Sequence, residues 1–390
     1  MSTFSGRRFW FVGIGGAGLS AYAQLARAWG AEVGGWDRKR TAYLEPLAGV
    51  ELEVGEEPVV PDGWEAVVSS AYPAVPGRRR AEFLRELVEA RPAIVVGGTH
   101  GKGTTAAMIA FVLRETGRDP AWVIGASVPQ LGSNAGFGKG MLIVEGDESD
   151  RTVFTLPAEI AVVTNIELDH HSEFASLAEL EAEFSKWLAG APHVVHGAPP
   201  YDGPLAVPGE LNRRNAGTAL AALELAEVPR ADAEAALARF AGTGRRFEIH
   251  ELADVIVVDD YGHHPTEVAA TISAARERFP GATLRVLFQP HLYSRTRHLA
   301  AELATALATA DDVAVTDVYG ARETPVDGVS GKLVVDALSD LGVLAAWTPT
   351  VEEGATRLRR RARAGDVLLV VGAGDVDRAV DLIRGGYAHP

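Results

Sequence analysis

The apolar run Ala93-Ile94-Val95-Val96 leads into Gly98-Thr99-His100-Gly101-Lys102-Gly103-Thr104-Thr105 and then an apolar-periodic segment from Ala106 to Leu113. That order of strand, glycine-rich turn and helix start leaves the chain little choice but an α/β unit. It also predicts a phosphate cradle. Glycines let backbone N–H groups converge on anionic oxygens, the helix start adds partial positive charge, and a lysine can reach the terminal phosphates of a nucleoside triphosphate. The spacing differs from the common G-x-x-x-x-G-K-[ST] loop, because a glycine follows the lysine directly. A plain glycine turn between strand and helix is the alternative reading.

Composition narrows the classes. The 390 residues, 47% hydrophobic and 23% charged, are enough for two or three cores. A formal charge of -15 argues against a general nucleic-acid surface, and the lack of cysteine excludes a disulfide frame, thiolate metal ligands and a cysteine nucleophile. No stretch reaches the roughly 18 apolar residues of a membrane span, and the opening MSTFSGRRFWFVGIGG does not read as a cleavable signal. The expectation is a soluble, cytoplasmic protein.

Towards the N-terminus, an apolar strand from Phe9 to Ile14 runs into Gly13-x-Gly15-Gly16-Ala17-Gly18 and an amphipathic helix to about Trp29. A second strand, Glu32 to Trp36, ends in Asp37, about 20 residues beyond the glycines, where a dinucleotide fingerprint of the Rossmann type places a carboxylate for a ribose hydroxyl. The pattern shows that a diphosphate can be held there, and a UDP group satisfies it as well as a dinucleotide. Ser69-Ser70 ends the strand from Ala66, and the basic run Arg78-Arg79-Arg80 reads as a solvated face.

The middle third begins near Pro92. Gly125 to Gly140 is too long for a simple turn, so it reads as a binding loop or a mobile surface loop. The strand Met141 to Val144 then delivers Glu145-Gly146-Asp147-Glu148-Ser149-Asp150, where a magnesium ligand is needed beside a phosphate loop; an acidic solvated turn is the alternative. Ile160 to Thr164 leads into Asn165-Ile166-Glu167-Leu168-Asp169-His170-His171. Next to a metal and a triphosphate, His170 becomes a candidate ligand. A helix from about Leu211 carries Asn212 and Asn215 one turn apart, able to meet a base edge or to serve as ordinary polar residues.

At Thr243-Gly244-Arg245-Arg246-Phe247-Glu248 a third β/α series starts. Its expected strands are Val255 to Asp259, Leu284 to Phe288, Val313 to Asp317 and Val367 to Val371, with helices from about Pro265, Arg295, Ser330, Val351 and Asp375. Polar groups follow the strands at Asp259-Asp260-Tyr261-Gly262-His263-His264, Gln289-Pro290-His291 and Gly372-Ala373-Gly374-Asp375, the edge at which such sheets keep ligands.

Taken in order, the Gly13–Gly18, Gly98–Lys102 and Glu145–Asp150 stretches, Thr164-Asn165-Ile166-Glu167-x-Asp169-His170, Arg245-Arg246-Phe247-Glu248, Asp259–Glu267 and Gln289-Pro290-His291 closely resemble the Mur ligases from end to end, and within them the branch that joins L-alanine to UDP-N-acetylmuramate. The resemblance implies three domains: a Rossmann-like UDP-sugar domain over 1–91, a P-loop ATPase domain over 92–242 and a Rossmann-like amino-acid domain over 243–390. It implies ATP and Mg2+, with ATP held by Gly98, Thr99, His100, Gly101, Lys102, Gly103, Thr104, Thr105, Asn212, Asn215, Arg246 and Asp260. Metal ligands would be Thr104, Glu145 and His170. The UDP-sugar would lie on Gly15, Gly16, Ala17 and Gly18 with Asp37, Ser70 and Tyr261. Lys102, His263, His264 and Arg295 would carry the chemistry, a histidine taking the proton of the incoming amine and Arg295 facing a carboxylate.

The implied partners are UDP-N-acetylmuramate and L-alanine, or a short peptide, with neither nucleic acid nor membrane and a monomer or weak homodimer. Four positions depart from the family pattern: Gly103 where a hydroxyl follows the lysine, Ser172 for an aspartate, Leu211 for a histidine and Leu292 for an arginine. The connection from Trp187 to Asn212 is also short. A recycling ligase that adds a tripeptide, a diverged nucleotide-binding member and a nicotinamide oxidoreductase remain as other readings of the same residues. Lys186 as a carbamylated metal bridge does not match the spacing.

Overall fold

A computed structural model of the chain describes residues 3–169, 173–252, 254–321 and 323–387. The chain divides into two compact units, one made of Met1–Leu168, Ser176–Ala206 and Arg214–Thr243, the other of Asp169–Ala175, Val207–Arg213 and Gly244–Pro390. Among the described residues, no helix is long and apolar enough to cross a membrane.

The first unit carries two sheets. The N-terminal one is built from β1 (Arg8–Val12), α1 (Ala17–Ala28), β2 (Glu32–Asp37), β3 (Glu51–Val54), β4 (Glu65–Val68), β5 (Arg78–Arg79) and α2 (Arg80–Glu89), with strand order β3-β2-β1-β4-β5, all parallel. Phe9, Trp10, Phe11 and Val12 are completely buried, as strands covered on both faces must be. Phe83 of α2 sits edge-on to Phe9 and Phe11, with ring centroids 4.9 and 5.3 Å away. Trp10 explains Gly34 on the neighbouring strand, where a Cβ would come within 2.6 Å of its ring.

The second sheet takes β6 (Ala93–Gly97), α3 (Lys102–Glu115), β7 (Ala121–Val123), β8 (Ala135–Phe137), β9 (Leu142–Glu145), β10 (Ile160–Val163), α4 (Leu177–Leu188), β11 (His193–His196), α5 (Glu210–Leu225) and α6 (Arg230–Leu237). Its order is β11-β10-β6-β9-β7-β8, parallel except for the β7–β8 pair. The Gly125–Gly140 stretch, expected as a binding loop or a mobile surface loop, holds strand β8 and a short 3-10 turn at Pro129–Leu131. Gly136 makes this possible, since any side chain there would strike Trp122 at 2.2 Å. The stretch is also clasped to α1: Asn134 donates to Ala17 O at 2.6 Å and accepts from Gln24 at 3.1 Å, both side chains being buried. The passage from β11 to α5 is short, as the sequence suggested.

The second unit holds β12 (Glu248–Leu252), β13 (Val255–Asp260), α7 (Pro265–Arg278), β14 (Leu284–Phe288), α8 (Tyr293–Leu307), β15 (Asp312–Val315), α9 (Lys332–Asp340), β16 (Ala345–Trp347), α10 (Val351–Arg361), β17 (Val367–Val371) and α11 (Arg378–Tyr387). The order β12-β13-β17-β14-β15-β16 is parallel apart from the β12 edge. Strands β12 and β16 escaped the sequence reading because both are edge strands without a buried apolar run: Glu248, His250 and Trp347 leave part of their surface in water. Helix α11 starts at Arg378, beyond the expected Asp375, because Asp375 is drawn to Gln289, which donates to it at 2.9 Å.

Candidate active site

Three neighbouring parallel strands, β10, β6 and β9, send their carboxyl ends to one place. Between β6 and α3 the chain turns through Gly98 at φ 121° and Gly101 at φ 79°, conformations open to glycine. Space demands glycine there too: a Cβ at Gly98 would meet Thr164 Oγ1 at 2.3 Å, and one at Gly101 would meet Asn215 Oδ1 at 2.1 Å.

The turn is pinned from β10. Thr99 N donates to Asn165 O at 3.0 Å and His100 N to Asn165 Oδ1 at 2.9 Å, while Asn165 and Thr164 donate to His100 O at 2.8 and 2.7 Å. Thr99 Oγ1 donates to Glu167 O and accepts from Glu167 N, both at 2.9 Å. Thr164, Asn165 and Glu167 thus hold the loop rigid. The sequence reading quoted them but gave them no role.

Lys102 opens α3. Its ammonium lies 2.7 Å from the Glu148 carboxylate and donates to Thr99 O at 3.1 Å. Burial alone would lower its pKa, but the charges of Glu148, Asp147 and Glu145 outweigh that and hold the ammonium above the usual lysine range. Glu148, 1% exposed, is the partner the sequence reading missed; its signal was a second carboxylate after the strand that ends in Glu145. Glu145 accepts from Gly125 N at 2.6 Å and stands beside Gly103, whose absent Cβ would be 3.1 Å from its Oε2. Buried Thr104 lies on the same first turn of α3. Oxygen donors of this kind suit Mg2+. His170 lies outside the described residues.

One expectation within the first unit needs correction. Arg78-Arg79-Arg80 is a solvated face only at Arg79: Arg80 is largely buried, 3.4 Å from Asp147 and 3.2 Å from Asp150, while Arg78 pairs with Glu86 at 2.5 Å. Burial disfavours the Arg80 charge, but Tyr22, Asp150 and Asp147 outweigh it and hold the guanidinium above the usual arginine range. Asp37, the carboxylate expected to face a ribose, accepts from Gly15 N at 2.8 Å, while Thr41 donates to Gly15 O at 2.7 Å. Gly16, Ala17 and Gly18 form the start of α1 as expected, and Ser70 is exposed at the end of β4. Lys186 lines a surface groove with Arg85, Phe154 and Trp187, a groove to which the phosphate loop does not contribute.

In the second unit, the ends of β13 and β14 and the start of α7 gather a second cluster. Glu267 is its hub. It pairs with Arg246 at 3.0 Å and accepts from the backbone N–H groups of His263 at 3.1 Å and His264 at 3.4 Å. Arg246 also lies over the Tyr261 ring, 5.0 Å from its centroid. His263 Nδ1 is 3.1 Å from Tyr261 O, which assigns it the N–H and leaves the lone pair on Nε2, 3.9 Å from Asp169. Burial, only partly offset by Glu267, lowers the His263 pKa to about 4, so the ring is neutral at pH 7.

Four residues singled out in the sequence have local partners here. Arg295, expected to face a carboxylate ligand, is buried and commits its guanidinium to Asp169 at 2.6 and 3.0 Å and to His291 Nδ1 at 2.9 Å. His264 caps α7, its Nδ1 accepting from Thr266 N at 3.3 Å. Asp260 spends both carboxylate oxygens on Phe247 N and Gly262 N, at 2.8 and 2.7 Å, and so clamps the entry of the chain into this unit. Asn212 donates to Pro208 O at 2.7 Å within its own helix start, while Asn215, in the first unit, packs under Gly101.

Residues 96–195 match the Mur ligase middle domain and residues 245–374 the Mur ligase glutamate ligase domain. A Renibacterium salmoninarum protein named UDP-N-acetylmuramate–L-alanine ligase is 37% identical over 98% of this chain and 96% of its own length. The chain belongs to the Mur ligase family. A Streptomyces coelicolor relative of the same name is 36% identical over 94% of both chains. The crystal structure of UDP-N-acetylmuramate–alanine ligase from Thermotoga maritima superposes with a TM-score of 0.79 at 26% identity, covering 98% of this chain and 99% of the other. The three sheets are therefore the three-domain Mur ligase fold, and ATP use comes with the family. The alignment to the Renibacterium ligase runs over 454 positions against the 390 residues here, so this Mur ligase is a trimmed one.

Proposed function

We propose that this Mur ligase joins L-alanine to the carboxylate of UDP-N-acetylmuramate through an acyl phosphate, at the expense of ATP, in the cytoplasm and in peptidoglycan precursor synthesis. The observation that carries the reading is Lys102, held at the start of α3 by a preformed turn and a buried carboxylate. We further propose that the chain divides into domains at about residues 91 and 242.

A carboxylate is a poor acylating agent, so the γ-phosphoryl group is first transferred to it. That step needs charge neutralisation and alignment more than a base. Lys102 supplies a cation that exchanges Glu148 for phosphate oxygens, and Arg246 a second one. Glu145 and the Thr104 hydroxyl would hold magnesium, which when bound spreads the charge of the transferring phosphate. The neutral amine of L-alanine then attacks the acyl carbon, the C–O bond to phosphate breaks, and inorganic phosphate leaves.

The attacking amine must shed a proton. His263, with its Nε2 lone pair turned away from Tyr261, is the acceptor. An anionic substrate settling beside it would favour the protonated imidazole. Arg295 acts through His291 and Asp169 as a positioning residue, and Tyr261 carries Arg246.

The test is coupled phosphate release from the full chain with ATP, Mg2+, UDP-N-acetylmuramate and a panel of L-alanine, other amino acids and a tripeptide. Phosphate that appears only with the UDP-sugar and L-alanine together supports the reading. Turnover with the tripeptide alone, or none at all, refutes it.

A further inference from the structure

Arg80 opens α2 in the N-terminal sheet, yet its guanidinium lies against the acidic turn that follows β9, at 3.2 Å from Asp150 and 3.4 Å from Asp147. On its other side, Nη1 stands 3.9 Å from where a Cβ on Gly18 would be, at the first turn of α1, with the buried Tyr22 ring alongside. Asp147 and its neighbour Glu148 are the shared members: Arg80 lies 3.4 Å from Asp147, to which Ser149 donates at 2.6 Å, and Lys102 lies 2.7 Å from Glu148. The two glycine motifs of this unit are thus joined by a short chain of charges: the start of α1, Arg80, the adjacent carboxylates Asp147 and Glu148, and Lys102.

Each ligand would act on this chain. A triphosphate draws Lys102 off the turn, which leaves Asp147 more dependent on Arg80. A divalent cation arriving with the nucleotide does the opposite, because it meets the carboxylates of the turn and lessens their hold on Arg80. A guanidinium so released can turn its charge to an anion on the Gly13–Gly18 motif.

We propose that Arg80 is a positioning residue that couples the two nucleotide sites, so that magnesium-nucleotide bound at Lys102 tightens binding of a diphosphate at the Gly13–Gly18 motif, and the reverse. This rests on the ligase reading in taking the UDP diphosphate as that anion. Linkage makes the effect reciprocal.

The experiment is calorimetric titration of UDP-N-acetylmuramate, and in parallel UDP, into the full chain with and without saturating Mg-ADP. In the wild type, Mg-ADP tightens binding about fivefold, the low end of ordinary coupling, and the gain disappears when EDTA replaces magnesium. Arg80→Gln brings the ratio to one at the weak limit. Asp150→Asn, which leaves Arg80 in place but loosens its hold, brings the ratio towards one at the tight limit, with the affinity in the absence of ADP raised. A merely structural role would weaken binding in both variants. Thermal melts confirm folding, and if Arg80→Gln does not fold, Asp150→Asn decides. A wild-type ratio of one with magnesium, or a wild-type ratio in either folded variant, overturns the proposal. Coupling seen with UDP but not with the muramate sugar upholds it and refutes the ligase reading instead.

Discussion

The guanidinium of Arg295 grips both carboxylate oxygens of Asp169, Nε at 2.6 Å and Nη2 at 3.0 Å, with both side chains nearly shut off from water. Breaking such a pair strands a charge in the interior, which costs about 3–5 kcal/mol. Arg295→Met is therefore expected to lower the urea midpoint strongly, and Arg295→Met with Asp169→Leu to recover much of the loss. Equal midpoints for the single and double variants would show that the pair is not the cause.

Lys102→Met removes the cation aimed at the phosphates. Phosphate release should fall by about 10²- to 10³-fold, as when one preorganised charge-stabilising donor is lost. Glu148→Gln keeps the lysine and should cost less. Steady-state rates of the two variants against wild type decide this.

Gly101→Ala meets two obstacles, a backbone at φ 79° and a Cβ 2.1 Å from Asn215 Oδ1. Together they should cost about 1–3 kcal/mol and weaken nucleotide binding. Trimming the partner with Asn215→Ala relieves the second obstacle only, so ADP affinity measured by calorimetry should recover in part.

The pH dependence of stability carries the mark of His263. Its folded value of about 4 lies below the 6.5 it has when unfolded, so between these values the unfolded chain binds a proton that the folded chain does not. This contribution is present above pH 6.5 and is lost as pH falls to about 4. His263→Gln should flatten the wild-type fall in melting temperature between pH 7 and 5.

Gly103→Ser would put a hydroxyl beside Glu145, where a Cβ comes within 3.1 Å of Oε2. The carboxylate can move, and the site gains an oxygen donor. The magnesium concentration for half-maximal phosphate release should drop by about tenfold, the low end of what a change in support around a metal does. A higher requirement would show that crowding prevails.

The parts of the fold that lay open in the sequence are those where burial on both faces leaves an uninterrupted apolar run: β1, β6, β14 and β17 carry one chemical message from end to end. The strands that stayed hidden, β3, β5, β7, β8, β11, β12 and β16, are short or lie at edges, and their pairing is set by neighbours along the chain. The site was legible at the same level. Lys102 and Glu145 follow from what a phosphate loop requires, whereas Glu148, Glu267 and Asp169 were identified as residues but not as partners. Pairing is a matter of distance in space, and Arg78-Arg79-Arg80 illustrates the gap: three adjacent arginines read alike until α2 carries the last of them onto Asp147 and Asp150.

Thr99 and Glu167 exchange two hydrogen bonds at 2.9 Å across 68 residues of chain. In a library selected for activity, a change at position 99 that removes the hydroxyl would survive mainly where the backbone at 167 finds a new partner. The two sites should therefore drift as a pair, and the nucleotide turn inherits the mutational history of a strand end it never contacts in sequence.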